Sequence, residues 1–241
     1  MPDGGDAEPK PARRGGRRRK VALGCGGLLV LVLALFTLSA RRFLFPARYD
    51  VVPITASAEY QDEARLAKAR ALPVAARYDR AFLFQPNGSV CGPTSLANVA
   101  RSLGDERASP DSILDGTGKC PFGICFGGLT LDELGEMARA RTGKRVTVLR
   151  DVTLAALREH AARANDPAVR YVINFDRGPL FGTAGGHHSP IGGYLVDEDL
   201  VLVLDVNARY KPWLVKTERL HAAMDTVDPS SGKKRGLLRI E

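Results

Sequence analysis

The sequence predicts an α+β domain, in which helices come first and an antiparallel sheet follows them. After Cys91, the apolar residues Leu96 and Val99 recur at the spacing of one helix face. Further along, the apolar runs 191–196 and 200–206 flank a short acidic turn, a pattern that is typical of a β-hairpin. The hydrophobic period therefore changes from helical to extended between the first and second parts of the domain.

Local signals predict the remaining elements. Thr130 and Glu133 have the spacing of a capping box, which starts a helix, and Gly143 is suited to end that helix. The segment 105–119 is expected to be a loop. The predicted helices cover 59–71, 91–103, 130–143, 153–164 and 218–224, and the predicted strands cover 145–149, 168–175, 191–196, 200–206 and 236–240.

Cys91 is a candidate nucleophile because it lies at the expected N-terminus of a helix. Pro93 suits the first turn of this helix, and Gly104 suits its end. The positive end of the helix dipole favours the thiolate, which is the nucleophilic form of cysteine. Gln85, six residues upstream, could donate a hydrogen bond to a developing oxyanion. The alternative is a buried cysteine that packs as a small apolar residue.

A nucleophilic cysteine requires a base, and the chain has four histidines. His160 and His221 lie on predicted helices among charged residues, so we expect them at the surface. His187 is the expected base, and His188 is the less favoured candidate. Asp205 follows an apolar run and either caps a strand or has a cationic partner. The order Cys, His, Asp is that of papain-like enzymes, with the acid orienting the base.

Beyond these residues, the chain resembles the phytochelatin synthase family in its short bacterial form, within the papain-like cysteine peptidase superfamily. The resemblance runs from about Phe82 to the C-terminus and depends on several motifs in one order. These motifs are Gln85 to Cys91, LTLDELG at 129–135, GHHSPIGGY at 186–194, LDV at 204–206, AMDTVD at 223–228 and SGKKRG at 231–236.

The resemblance implies thiol-dependent acyl transfer on glutathione with release of glycine. It assigns the catalytic cysteine to Cys91, the oxyanion glutamine to Gln85, the histidine to His187 and the aspartate to Asp205. The intermediate would be a γ-glutamylcysteinyl thioester. Water would then release γ-glutamylcysteine, and a second glutathione would extend the peptide to a phytochelatin.

The resemblance also implies substrate contacts at Asn174, Arg177 and Arg235, and Gly186 allows a substrate to approach the backbone closely. Arginine suits the recognition of a carboxylate, which a γ-glutamyl group carries; the alternative for Arg177 is a surface charge. No cofactor is implied, because a metal ion would enter as a metal–glutathione thiolate substrate.

One departure from the family concerns the acceptor. Family members usually continue Asp-Val-x-Arg-Tyr-Lys-Tyr-Pro-Pro, whereas residues 205–213 read DVNARYKPW. This loop borders the expected entry of the acceptor, and we expect its Trp213 to pack. Plant-type members carry a Cys-rich C-terminal extension that does not follow Glu241 here. We therefore expect hydrolysis first and weak transpeptidation.

The first 58 residues are expected to be appendages to a catalytic domain over 59–241. Residues 1–20 are basic and poor in apolar side chains, which predicts disorder. Residues 21–40 form an uncharged apolar run long enough to span a bilayer, preceded by four basic residues, and 41–58 read as a linker. The expectation is a single-pass bacterial inner-membrane protein with a periplasmic domain, or a secreted protein if the run is a cleaved signal peptide.

Cys120 and Cys125 lie close together in the sequence and allow three interpretations. Cysteines outside the cytoplasm tend to oxidise, so a disulfide that closes a short loop is one prediction. Free buried thiols and metal ligands are the alternatives. A disulfide between the two would leave Cys91 unpaired, as a nucleophile requires.

Charge and composition limit the partners. The net charge is +8, and residues 1–20 contribute half of it, so the domain itself is too weakly basic to predict binding of nucleic acid. One rival function is a different papain-like cysteine peptidase that acts on peptides or the cell wall. The other is a non-catalytic, membrane-tethered module that binds metal through Cys120, Cys125 and His188. A homodimer stays open.

Overall fold

The computed structural model describes residue 1 and residues 30–37, 48–78 and 82–241. The chain divides into two compact units, Met1–Pro46 and Ala47–Glu241.

The predicted N-terminal appendages fall largely in the first unit. Residues 30–37 are helical. The rest of the expected span over 21–40, residues 2–20 of the expected tail over 1–20 and residues 41–47 of the expected linker over 41–58 lie outside the described residues. Within the described part of the chain, no helix has both the length and the apolar character needed to cross a membrane.

The second unit is built on an antiparallel sheet, and its described strands are numbered here in chain order. They are β1 (Val146–Leu149), β2 (Arg170–Asp176), β3 (Gly186–Leu195), β4 (Leu200–Val203), β5 (Trp213–Lys216), β6 (Val227–Asp228), β7 (Lys233–Lys234) and β8 (Leu237–Ile240). The main sheet has the order β1-β8-β2-β3-β4-β5, and β6 and β7 form a separate ribbon.

Helices precede the sheet and also connect its strands. They are α1 (Glu63–Arg70), α2 (Ala75–Tyr78), α3 (Cys91–Ser102), α4 (Pro110–Leu114), α5 (Leu131–Thr142), α6 (Leu154–Arg163), α7 (Gly178–Phe181) and α8 (Thr217–Met224). The predicted capping box at the start of α5 is present, because Thr130 and Glu133 bond each other's backbone N–H groups. Gly143 ends α5 with a φ of 62°, a conformation that glycine adopts without strain.

The sheet separates two apolar clusters, because successive side chains of a strand point to opposite faces. Val172 and Leu202 belong to a cluster that includes residues of α3 and α5. Ile173 and Val203, one position further along β2 and β4, belong to a cluster with residues of α6 and α8. The α+β class predicted from the sequence is thus confirmed.

Some boundaries differ from those predicted. Strand β3 begins at Gly186 instead of at position 191, so His187 lies within the strand and not before it. Pairing with β2 is the reason, because Phe175 lies opposite His187. The short elements α4, α7 and β5 were not predicted, since each has too few residues to show a hydrophobic period.

The segment 48–58, expected to be part of a linker, instead packs on the domain. Ile54 is buried in the α6 and α8 cluster, and the Tyr49 N–H donates to the Gly182 carbonyl at 2.8 Å. Arg48 also forms an isolated antiparallel bridge with Thr183. Burial of Ile54 accounts for the difference, because a solvated linker would expose that side chain.

Candidate active site

Cys91 is the first residue of α3, a helix that is buried along nearly its whole length. Its thiol is free, and the residue as a whole is only 6% exposed. The helix packs on β3. Ser95, one turn after Cys91 on the helix, donates from its hydroxyl to the carbonyl of His188 on the strand at 3.0 Å. Hydrogen bonding from the His188 backbone, on the same strand, acts to lower the pKa of the Cys91 thiol. The first turns of the helix and the start of β3 are therefore joined next to the thiol.

His187 lies between Cys91 and Asp205. Its Nε2 is 2.9 Å from Asp205 Oδ1, and both side chains are buried. Because Asp205 accepts from Nε2, Nδ1 is the nitrogen left to face the Cys91 thiol, whose pKa is lowered by the charge and hydrogen bonding of His187. The register explains this meeting, since β4 pairs with β3 and delivers Asp205 beside His187.

The three groups shift one another's pKa values. Burial by itself would raise the pKa of the Cys91 thiol, but the charge and hydrogen bond of His187 outweigh it, so this pKa lies below its ordinary value of 9.0. Burial and Arg177 act to lower the pKa of His187, yet Asp205 and Cys91 raise it above its ordinary 6.5. Opposite shifts favour a thiolate beside an imidazolium, the state in which a cysteine is nucleophilic.

Asp205 is fully buried and receives several further hydrogen bonds. Arg177 Nη2 lies 3.0 and 2.9 Å from its two oxygens, Trp213 Nε1 donates to Oδ2 at 3.0 Å, and the Asn207 N–H donates to Oδ1 at 2.9 Å. Burial acts to raise the pKa of this carboxyl, but the charges of His187 and Arg177 hold the pKa well below its usual range. Asp205 is therefore an anion in a fixed orientation.

Trp213 has a part in the site beyond the packing expected of it. Its indole is fully buried on β5, next to the rings of Phe175 and Phe181. A buried indole N–H requires an acceptor, and here that acceptor is the carboxylate of Asp205. The sequence placed Trp213 eight residues after Asp205, but only the pairing of β4 with β5 brings the two together.

Gln85 is held beside these residues by two backbone contacts. Its N–H donates to the carbonyl of Val206, directly after Asp205, at 2.8 Å. Two residues earlier, Leu83 donates to and accepts from the side-chain amide of Asn98, at 2.8 and 2.9 Å. Asn98 lies two turns after Cys91 on α3, so the helix that bears the thiol also holds the segment that bears Gln85. Sequence reasoning did not single out Asn98.

The Gln85 side chain is only partly satisfied. Its Nε2 donates to the carbonyl of Asn87 at 2.9 Å, while its buried Oε1 has no hydrogen-bond partner among the described residues. An amide nitrogen carries two hydrogens, so one hydrogen of Nε2 is left for another acceptor.

Arg177 is oriented by Asp205, not by solvent. Its guanidinium also lies over the ring of Tyr210, 3.9 Å from the ring centroid. The interpretation of Arg177 as a surface charge is therefore wrong, since the residue is buried. Nη1 is also buried and has no hydrogen-bond partner among the described residues. A substrate contact at Arg177 stays a prediction.

Three of the predicted substrate residues lie close together at the start of β3, namely Asn174, Gly186 and Arg235. Arg235 Nη1 donates to Asn174 Oδ1 at 3.0 Å, and a Cβ on Gly186 would lie 2.8 Å from the same nitrogen, so a larger residue at this position would displace the Arg235 guanidinium. Arg235 Nε is buried without a partner among the described residues. The structure thus assembles these predicted substrate residues, and their contact with substrate stays a prediction.

The His188 side chain is bonded to groups other than the catalytic ones. Its Nε2 lies 2.9 Å from the Leu129 carbonyl and 2.7 Å from Asn174 Nδ2. Burial lowers the pKa of His188 to about 3. A histidine with so low a pKa is neutral at physiological pH, which agrees with the weaker case for His188 as the base.

Cys120 and Cys125 form a disulfide, which agrees with the first of the three interpretations of this pair. Within the described residues, no group of three or more His, Cys, Asp or Glu side chains is arranged to hold a metal ion. The metal-binding rival required ligands from Cys120, Cys125 and His188. The disulfide removes both thiolates from that set.

The fold and the site together define a papain-like protein. A solved structure described as a putative C39-like peptidase from Bacillus anthracis aligns with a TM-score of 0.50 at 14% identity, covering 68% of this chain and 95% of that one. At this identity the likeness concerns the fold alone, and it confirms the papain-like class predicted from the sequence.

Sequence comparison shows similarity to one particular family. Residues 121–237 match the family model for phytochelatin synthase. A glutathione gamma-glutamylcysteinyltransferase 3 of Lotus japonicus is 31% identical over 169 residues, which cover 65% of this chain and 35% of the relative. A glutathione gamma-glutamylcysteinyltransferase 1 of Arabidopsis thaliana is 43% identical over 70 residues, 29% of this chain and 14% of the relative.

The matched regions differ in which of the site residues they include. The family model begins after Gln85 and Cys91. The Lotus alignment covers 65% of the chain, and since fewer residues than that lie on either side of position 91, it includes Cys91. The chain spans about a third or less of the length of these curated relatives.

Proposed function

We propose that this protein catalyses acyl transfer from glutathione through a γ-glutamylcysteinyl thioester on Cys91. The main support for this proposal is the buried group of Cys91, His187 and Asp205. In this group the pKa of the thiol is lowered and that of the imidazole is raised. The substrate is suggested by the name of the relatives, glutathione gamma-glutamylcysteinyltransferase.

In the first step, the Cys91 thiolate attacks the carbonyl carbon of the Cys–Gly amide. The carbonyl oxygen becomes an oxyanion, for which two donors are available. One is the backbone N–H of Cys91, since the N–H groups of a helix's first turn lack intrahelical partners. The other is the remaining hydrogen of Gln85 Nε2. Donors of this kind stabilise charge that appears only in the transition state.

The intermediate then collapses with expulsion of glycine. Protonated His187 gives the proton on Nδ1 to the departing amine, so glycine leaves as a neutral amine and the thioester remains. Asp205, bound to Nε2 at 2.9 Å, holds the ring in one orientation and stabilises its charge.

The neutral imidazole then accepts a proton from the second nucleophile. Water gives γ-glutamylcysteine and free Cys91, and the amine of a second glutathione gives the extended peptide. We propose both fates for the same thioester, and the ratio of the two products measures which one dominates.

The γ-glutamyl group carries an α-carboxylate and an α-amine, which require polar partners. We propose Asn174, Arg177, Gly186 and Arg235 as the residues around it. Two buried arginine nitrogens, Nη1 of Arg177 and Nε of Arg235, have no partner in the part of the chain that the structure describes. They support this assignment because a buried donor is costly unless it is bonded. A metal ion would enter as a metal–glutathione thiolate, that is, as substrate.

We further propose that the domain works in an oxidising compartment, with residues 21–40 as its anchor or signal segment. The Cys120–Cys125 disulfide supports this location, because such bonds persist outside the reducing cytoplasm. Fractionation of cells into periplasm, inner membrane and cytoplasm, with the disulfide checked by mass, would test it. A homodimer stays a prediction, which light scattering would test.

Incubation of the purified chain with glutathione tests the main proposal. We expect release of free glycine, a trapped γ-glutamylcysteinyl adduct of Cys91 and no turnover by Cys91→Ala. Equal glycine release from Cys91→Ala, or none from the native protein, would overturn the assignment. A panel of longer peptides without a γ-glutamyl linkage separates it from the peptidase rival, which predicts their cleavage.

A further inference from the structure

A short loop closed by the Cys120–Cys125 disulfide lies against the segment that carries Gln85. Two hydrogen bonds of opposite direction join them. The Asn87 side-chain amide donates to the Gly123 carbonyl at 3.0 Å, and the Cys125 N–H donates to the Ser89 hydroxyl at 3.0 Å. Both contacts come from within the disulfide-closed ring, so the ring determines where they can form.

The contacts continue to the Gln85 side chain. The Ser89 hydroxyl donates to Asn87 Oδ1 at 2.7 Å, and Gln85 Nε2 donates to the Asn87 carbonyl at 2.9 Å. Asn87 therefore holds the Gln85 amide with its backbone while its side chain is held by the disulfide loop. The path from the disulfide to the Gln85 amide is unbroken.

The disulfide loop is itself anchored. Both cysteines are buried in the apolar cluster that contains Val90, the residue before Cys91. Just after the loop, the Gly127 carbonyl accepts from the Ser230 hydroxyl at 3.1 Å, and the Leu129 carbonyl lies 2.9 Å from His188 Nε2. The loop is thus bound to the C-terminal part of the domain on one side and to the Gln85 segment on the other.

We infer that the disulfide loop is a positioning element for the oxyanion donor Gln85, with Asn87 and Ser89 as the connecting residues. This inference rests on the proposed function, in which Gln85 acts on the transition state. The physical reason is that one of the two hydrogens on Gln85 Nε2 is bonded to the Asn87 carbonyl, so the direction of the free N–H depends on where Asn87 lies. Without the closed ring, the backbone of 120–125 is no longer constrained in the conformation that presents the Gly123 carbonyl to Asn87 and the Cys125 N–H to Ser89.

A double-mutant cycle tests the inference with the full chain. The variants are Cys120→Ser with Cys125→Ser, Gln85→Ala, and all three changes together. We expect the two serines to lower the kcat for glycine release about 10- to 100-fold, as for a misplaced catalytic group, with little change in KM. In the Gln85→Ala background, the serines should cause no further loss. Independent, multiplicative losses would overturn the inference.

Two matched measurements separate positioning from general destabilisation. Alkylation of Cys91 by iodoacetamide needs no oxyanion donor, so its rate should be equal in the native chain and in the serine variant; a parallel fall in alkylation would overturn the inference. Phe122→Ala changes a fully exposed side chain, 101% accessible, on the same loop. This control should keep the native kcat, whereas Asn87→Ala should lose activity as the serine variant does.

A readout without substrate keeps this inference distinct from the proposed function. Hydrogen exchange of the backbone amides in 85–91 should be faster in the serine variant, whether or not glutathione is the substrate. Unchanged exchange would overturn the inference even if glycine is released. Loss of the disulfide from the native chain during the assay, detected by mass and without loss of rate, would also overturn it.

Discussion

Asp205→Asn is the most informative single substitution, because it keeps the volume of the side chain and removes its charge. The carboxylate has contacts of 2.9 to 3.0 Å with His187 Nε2, Arg177 Nη2, Trp213 Nε1 and the Asn207 N–H. An amide cannot accept from all of them, and Arg177 would keep a buried charge without its partner. Breaking a buried ion pair in this way costs about 3–5 kcal/mol of unfolding free energy.

The catalytic loss follows from the same contacts. Without the carboxylate, the pKa of His187 should fall and that of Cys91 should rise, so the reactive ion pair becomes rare. The corresponding change in a serine-based triad costs about 10,000-fold in kcat. We expect a loss of about 1,000- to 10,000-fold in glycine release from Asp205→Asn.

The pH dependence of stability has a defined sign. The pKa of Asp205 is lowered on folding, so its contribution is present above the ordinary value of 3.8 and is lost as the pH falls through the folded pKa. The pKa of His187 is raised, so its contribution is present below 6.5 and is lost as the pH rises through the folded pKa. The stability difference between native protein and Asp205→Asn should therefore be largest between about pH 4 and pH 6.5.

Urea unfolding across this pH range and alkylation of Cys91 measure the two effects. Asp199→Asn is the control, since Asp199 is likewise a carboxylate that accepts several hydrogen bonds, here from the Tyr194 and Thr217 hydroxyls at 2.6 Å, but is only partly buried and is not bonded to His187. This control should lower stability and leave alkylation unchanged. An Asp205→Asn protein that alkylates with the native pH profile would refute the role given to Asp205.

Three further outcomes are expected. Trp213→Phe removes one hydrogen bond to the Asp205 carboxylate and should cost about 1.5–3 kcal/mol in urea unfolding, with a modest fall in kcat; native stability would contradict this contact. His188→Gln should lower stability but keep the native pH profile of glycine release, because the pKa of His188 is about 3 and it does not serve as the base. In the native protein, alkylation of Cys91 should begin below pH 9.0, the ordinary pKa of a thiol. Glycine release should extend above pH 6.5 before it declines as His187 loses its proton. A thiol that titrates at its ordinary pKa would contradict the ion pair.

Local sequence signals were sufficient where the cause of structure is local. The capping box at Thr130 and Glu133, the stop at Gly143 and the helix that begins at Cys91 all depend on residues within a few positions of one another. They were predicted correctly for that reason. The hairpin of β3 and β4 was also predicted, because a short turn between two apolar runs leaves few alternative pairings.

Predictions failed where a partner distant in sequence decides the structure. The start of β3 at Gly186 depends on β2, and β5 depends on β4. Residues 48–58 pack because Ile54 meets an apolar cluster in which every other buried residue except Tyr60 lies more than a hundred positions away. No pattern inside these segments contains that information.

The sequence by itself determined the chemical groups of the candidate site and their order along the chain, because a helix-borne thiol, a Gly-rich histidine segment and an acid after an apolar run are local patterns. Only the tertiary structure decided which atoms meet. It placed Nε2 of His187 on Asp205, turned His188 toward Leu129, gave Arg177 and Trp213 to the same carboxylate, and connected the disulfide loop to Gln85. These contacts depend on strand register and on burial, which are properties of the assembled chain.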